Sequence, residues 1–136
     1  MNAAIKTELI GGRRVVDIHH QVRPSDLDSF GHVNNAKVLE FFELGRLMWL
    51  QAVELQPATG IVPVLVHAEL RYLCEILLGP LIIRTQLVAQ TFYSVVFEQG
   101  ILVDAVEGRK AMAHGRLTVN FIDVATRRPR KLRDYV

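Results

Sequence analysis

The chain has 136 residues, half of them hydrophobic and 22% charged, enough for one domain around a single core and with nothing to mark a second. Lys and Arg number 16 against 14 Asp and Glu, for a net charge of +2, too mild a balance to call for a nucleic-acid partner. No apolar run is long enough to span a bilayer, the opening MNAAIKTELIGG lacks a secretory apolar core, and the single Cys74 excludes an intrachain disulfide, so a cytoplasmic, reducing location is expected.

In chain order, the segment to about Gly12 reads as a loose N-terminus, and Arg14 to Val22 as a strand. Pro24 and Gly31 bracket the loop that follows. From about Asn34 to Glu54 the apolar residues Val38, Phe41, Phe42, Gly45, Met48, Trp49, Ala52 and Val53 recur at helical spacing. Lys37, Glu40, Gln51 and Glu54 leave only a narrow polar stripe, which predicts a mostly buried helix stopped by Pro57 and Gly60. Val62 to Tyr72, Leu81 to Gln90, Phe92 to Val103 and Ala111 to Val124 then read as strands, with breaks at Gly79-Pro80 and Glu107-Gly108. Alternation is clearest where Arg116, Thr118 and Asn120 interleave with Leu117, Val119 and Phe121. One long helix followed by antiparallel strands predicts an α+β domain with the helix packed on a curved sheet. The mean hydropathy of +0.21 implies apolar surface hidden by self-association, as a homodimer or homotetramer.

The chemistry concentrates in RPSDLDSFGHVNNAKVLEFFELGR, residues 23–46, where two carboxylates and a glycine turn directly precede the helix. A helix N-terminus presents unpaired N–H groups and partial positive charge, so a carboxylate beside it can attack a carbonyl whose oxygen rests on those donors. Taken as a residue type alone, Asp28 reads first as the opening residue of a turn over Asp28-Ser29-Phe30-Gly31. Asn34 suits the helix cap. Glu43 lies one turn before Arg46 on the helix, a spacing that predicts an ion pair. His19, His20 and His67 stand on strands without metal-ligand spacing, and no metal or other cofactor is expected.

The same stretch resembles the signature of the hotdog-fold acyl-CoA thioesterases, the 4-hydroxybenzoyl-CoA thioesterase-like group, whose Asp-x-Asp-x-x-Gly loop runs into a central helix. VPVLVHAELRYL resembles their second strand, RLTVNFIDVATRRPRKL their last strand and tail, and the order of elements agrees from about Val15 to Leu132. The resemblance implies a hotdog fold and hydrolysis of an acyl-CoA or acyl-carrier-protein thioester at a site shared between two subunits. Asp28, the second acid of the motif, would be nucleophile or general base, and the backbone N–H of Asn35 would polarise the thioester oxygen. Glu43 falls where a second branch of these enzymes carries its carboxylate. Asn35 and Val38 stand where relatives carry other side chains, including a helix tyrosine, so an aromatic acyl group is not implied.

Gly31, His32, Asn34, His67 and Ser94 complete the candidate substrate-binding set. Ser94 alone matches the phosphate-binding segment of the benzoyl-CoA enzymes, whose basic run is replaced here by Thr91-Phe92-Tyr93. Arg127, Arg128 and Arg130, in a basic tail with Lys131 and Arg133, are the candidates to hold ligand phosphates, or are merely solvated. Two other readings are a hotdog hydratase or dehydratase that pairs His32 with Glu43, and a non-catalytic acyl-thioester binding module.

Overall fold

A computed structural model of the chain describes residues 5–10, 13–53, 60–91 and 93–130. Strand β1 (Ile5–Ile10) precedes β2 (Arg13–Val22), a short 3-10 turn covers Pro24–Asp26, and helix α1 spans Asn35–Ala52. Four further strands follow: β3 (Ile61–Tyr72), β4 (Gly79–Gln90), β5 (Ser94–Ala105) and β6 (Gly108–Asp123). They form one antiparallel sheet in the order β1-β2-β4-β5-β6-β3, and α1 packs on its central strands.

The helix forms where the apolar spacing predicts. Val38, Phe41, Phe42, Gly45 and Trp49 are its buried positions, set against the inward residues Ile83, Phe97, Ile101, Leu117 and Phe121 of the sheet. Gly45 makes close approach possible, since a Cβ there would stand 2.5 Å from Thr85 Oγ1 and 2.8 Å from Gln99 Nε2. The side chain of Asn34 caps the helix by accepting the Ala36 N–H at 2.9 Å.

Three expectations are corrected. The stretch read as a loose N-terminus contains β1, which pairs with β2 from Ile5 opposite Ile18 to Ile10 opposite Arg13. Gly79 and Pro80 do not break the chain but open β4, opposite Val22 and Gln21. Pro80 is tolerated because pairing with β5 begins only at Ile82, so its missing N–H interrupts no ladder on that side. The helix is also less buried than its narrow polar stripe predicts, because Leu39, Glu43 and Leu47 face outward, Leu47 being 49% exposed. The expected last residue Glu54 and the stop at Pro57 lie outside the described residues.

Strand β3 is one of the two edges of the sheet. Among the described residues it pairs with β6 on one side only, and its residues from Val62 to Glu69 are all exposed. A long apolar edge with unpaired backbone groups is a template for another chain.

His20 sits on β2 with its ring centroid 4.9 Å from that of Phe41, and its Nε2 is buried without a hydrogen-bond partner among the described residues. Burial lowers its pKa below the ordinary 6.5, opposed by the negative charge of Asp26 and reinforced by Arg23. The folded protein therefore holds fewer protons than the unfolded chain, so stability present above the unfolded value is lost as pH falls through about 6.5 toward the folded one. His20→Phe keeps the ring contact and removes the proton. The wild type should lose more melting temperature than this variant between about pH 7.5 and about pH 5.5; equal losses would show that His20 carries no such term.

Candidate functional site

The loop between β2 and α1 is tied at both ends. Asp26, 1% exposed, accepts the Arg23 N–H on Oδ2 at 2.9 Å, and its carbonyl accepts the Asn34 N–H at 3.0 Å. Within this frame the Asp28 N–H donates to the His32 carbonyl at 2.7 Å and the Gly31 N–H to the Asp28 carbonyl at 3.1 Å. Gly31 has φ +81°, a left-handed conformation that favours glycine and closes the turn.

The Asp28 carboxylate forms part of the turn. Oδ1 accepts the N–H groups of Phe30 at 2.9 Å and His32 at 3.2 Å, so the side chain does hold a turn. Oδ2 accepts no hydrogen bond among the described residues. The turn thus fixes the carboxylate and leaves its second oxygen uncommitted among the described residues. At the neighbouring helix terminus the Ala36 and Lys37 N–H groups are taken by Asn34, while the Asn35 N–H has no acceptor among the described residues.

Asp28, His32 and Asn35 line one cavity of about 270 Å³, together with Val38, Tyr72, Cys74 and Glu75. The Tyr72 hydroxyl donates to the Asn35 carbonyl at 3.1 Å, and His32 Nε2 lies 2.6 Å from Glu75 Oε2. Tyr72, Cys74 and Glu75 were not among the sequence candidates. They arrive through a long-range tie, the Val33 N–H donating to the Ile76 carbonyl at 2.8 Å, for which no local pattern exists.

Other candidates lie elsewhere in the chain. His67 is exposed on β3 at a register shift, 3.9 Å from Glu69. The Ser94 hydroxyl donates to Asn120 across the β5–β6 ladder. Arg130 contacts Asp123 at 3.3 Å, while Arg127, with φ 60°, and Arg128 are exposed in a tail turn beside the start of β3.

Glu43 belongs to a second cavity of about 210 Å³, with Arg46, Leu47 and Leu50 of α1 on one side and Pro63 and Leu65 of β3 on the other. The expected Glu43–Arg46 ion pair does not form. Arg46 Nη1 instead donates to Gln99 Oε1 at 3.0 Å, and Glu43, exposed, has no ion pair among the described residues. Burial lowers the Arg46 pKa, and the nearby charge of Glu43 works against that. Nor does the chain bring His32 to Glu43, since His32 pairs with Glu75 in the other cavity.

Comparison with known proteins agrees with this architecture. The structure is similar to the "Probable Thioesterase" YbaW from Escherichia coli at 28% identity and a TM-score of 0.70, covering 86% of this chain and 90% of that one. It is similar to a DHNA-CoA thioesterase from Staphylococcus aureus at 17% identity and a TM-score of 0.79, covering 89% and 83%. A 1,4-dihydroxy-2-naphthoyl-CoA thioesterase from Synechocystis aligns at 18% identity and a TM-score of 0.75, covering 87% and 89%. Among curated proteins no relative matches the sequence. The model of the thioesterase-like superfamily matches residues 22–136, and with its single long helix on a curved antiparallel sheet the chain belongs to that superfamily and has the hotdog fold.

Proposed function

We propose that this protein hydrolyses an acyl thioester of coenzyme A or an acyl carrier protein. The observation that carries the reading is the pairing, in one cavity, of a turn-held carboxylate with one oxygen uncommitted and a helix-terminal N–H without an acceptor among the described residues. The thioester oxygen would accept from the Asn35 N–H, where the helix terminus stabilises the negative charge that develops as the carbonyl carbon becomes tetrahedral. Asp28 then acts in one of two ways. As base it takes a proton from the attacking water; as nucleophile it forms a mixed anhydride that water opens. Either way the C–S bond breaks, the sulfur leaves with a proton as free thiol, and the acyl group leaves as the acid.

The exposed β3 edge and the outward Leu39 and Leu47 of α1 support a homodimer paired through β3. The two ends of β3 carry different things: Tyr72 lines the Asp28 cavity, whereas Pro63 and Leu65 line the Arg46 cavity and the basic tail lies beside the strand's start. Antiparallel pairing about a two-fold axis near the strand centre therefore sets the Arg46 cavity and tail of one subunit beside the Asp28 cavity of the other.

A free-thiol assay across short, long and aromatic acyl-CoAs tests the activity. Thiol release with none of them, while the thioesters bind, would favour a binding module instead. For the phosphates, Arg127 and Arg128 are the available charges, since Arg130 already contacts Asp123. Replacing both by alanine should raise KM for acyl-CoA about two- to thirtyfold, with less effect on kcat, and the effect should shrink as salt rises. An unchanged KM would mean that the tail is only solvated.

A further inference from the structure

Gln99 is a polar side chain buried under α1, 1% exposed, and its orientation is determined by its neighbours. Its Nε2 donates to the Phe42 carbonyl and to Thr85 Oγ1, both at 2.8 Å. The Phe42 carbonyl can only accept, so the amide nitrogen must face it and Oε1 must point the other way, toward Arg46 at 3.0 Å. Gly45 lets the helix come close enough for these bonds. The whole network therefore serves to hold one guanidinium at the wall of the Glu43–Arg46 cavity.

That guanidinium is under-used. Of its five N–H donors, only Nη1 has an acceptor among the described residues. Besides the Glu43 carboxylate, which makes no ion pair among the described residues, the cavity wall is apolar, with Leu47, Leu50, Pro63 and Leu65 among its residues. An apolar group ending in an acceptor oxygen would fit the cavity, its body against the leucines and proline and its end on Arg46.

We propose that Arg46 is a specificity-determining residue, which binds an oxygen at the far end of the acyl group and selects thioesters of acyl chains oxygenated there. This rests on the thioesterase reading and on the shared site, in which the Arg46 cavity of one subunit receives the acyl group whose carbonyl lies at Asp28 of the other. Within one chain the two sites are too far apart for a short acyl group, because Asn35 and Glu43 are already about 12 Å apart along the helix. Glu43 at the same cavity balances the charge of Arg46, so the favoured end is neutral, a hydroxyl or a ketone, rather than a carboxylate.

The test compares matched acyl-CoAs of equal length ending in methyl, hydroxyl, ketone or carboxylate, read as ratios of kcat/KM on the wild type and on Arg46→Met. A hydrogen bond to a charged group predicts that wild type favours the neutral oxygenated ends over methyl by about 10- to 100-fold. Arg46→Met should collapse that ratio through KM. Non-hydrolysable thioether analogues read the same ratio as binding, so failure of every thioester to release thiol rejects the hydrolase reading while the binding ratio still decides the role of Arg46. Wild type that takes methyl-ended chains as well as oxygenated ones overturns the proposal without recourse to any variant. A ratio unchanged in a folded Arg46→Met protein overturns it too, leaving the residue purely structural, and a preference for the carboxylate end overturns the neutral assignment.

Discussion

Asp28→Asn is expected to lower kcat for thioester hydrolysis by roughly 10²- to 10⁴-fold, the range for loss of a positioned acid-base group, with an intact fold. Asparagine retains an Oδ1 that can accept the Phe30 and His32 N–H groups, so the turn that holds residue 28 survives. What disappears is the negative charge on the second oxygen, which has no hydrogen-bond partner among the described residues. Glu43→Gln is the companion measurement. Because Arg46 is bound to Gln99 and not to Glu43, the substitution should leave melting temperature nearly unchanged, within about 0.5 kcal/mol of stability, and reduce kcat by less than about tenfold. Both variants would be assayed for thiol release and melting under the same conditions. A dead but stable Glu43→Gln beside a near-normal Asp28→Asn would move the chemistry to the helix carboxylate.

Glu43 and Arg46 mark the boundary between local sequence pattern and long-range packing. Period 3.6 across residues 34–53 and period 2 across residues 116–121 carry the helix and the last strand, because each pattern is local and its burial is repeated every turn or every second residue. The Asp28 turn and the Asn34 cap were legible for the same reason, since their donors lie within four residues of their acceptors. Gln99, by contrast, lies 53 residues from Arg46 and 57 from Phe42. A spacing rule offers Arg46 the nearest acid one turn away, whereas the fold offers it an amide from the sheet beneath. Tyr72 and Glu75 entered the Asp28 cavity in the same way, through contacts that chain distance hides. Strand β1 differs from the local sequence reading for another reason. IKTELI followed by Gly11-Gly12 carries a hairpin signal, but a segment next to a terminus is easily read as slack.

The β3 edge leads to the other large effect, because a composite site makes assembly a condition of turnover. Val64 and Val66 are 39% and 51% exposed, and a two-fold antiparallel pairing through β3 would bring both copies of each close together. Val64→Lys with Val66→Lys would set four like charges along that seam, the device by which natural edge strands resist pairing. Neither valine belongs to the buried core, and β3 keeps its ladder to β6, so the subunit should stay folded with little change in melting temperature in dilute solution. Sedimentation should show the wild type as a dimer or larger and the double variant as a monomer. Activity should fall with it, by about 10²-fold or more in kcat/KM, since the Arg46 cavity and the tail of the second subunit are withdrawn from the Asp28 cavity of the first. Mixing supplies the stricter measurement. Asp28→Asn and a variant disabled at Arg46, each poor alone, should recover activity when combined, because one of the two sites in a mixed dimer then draws an intact Asp28 from one chain and an intact Arg46 from the other. A wild type that is a monodisperse, active monomer at low micromolar concentration would rule out the shared site and confine the chemistry to the single cavity around Asp28.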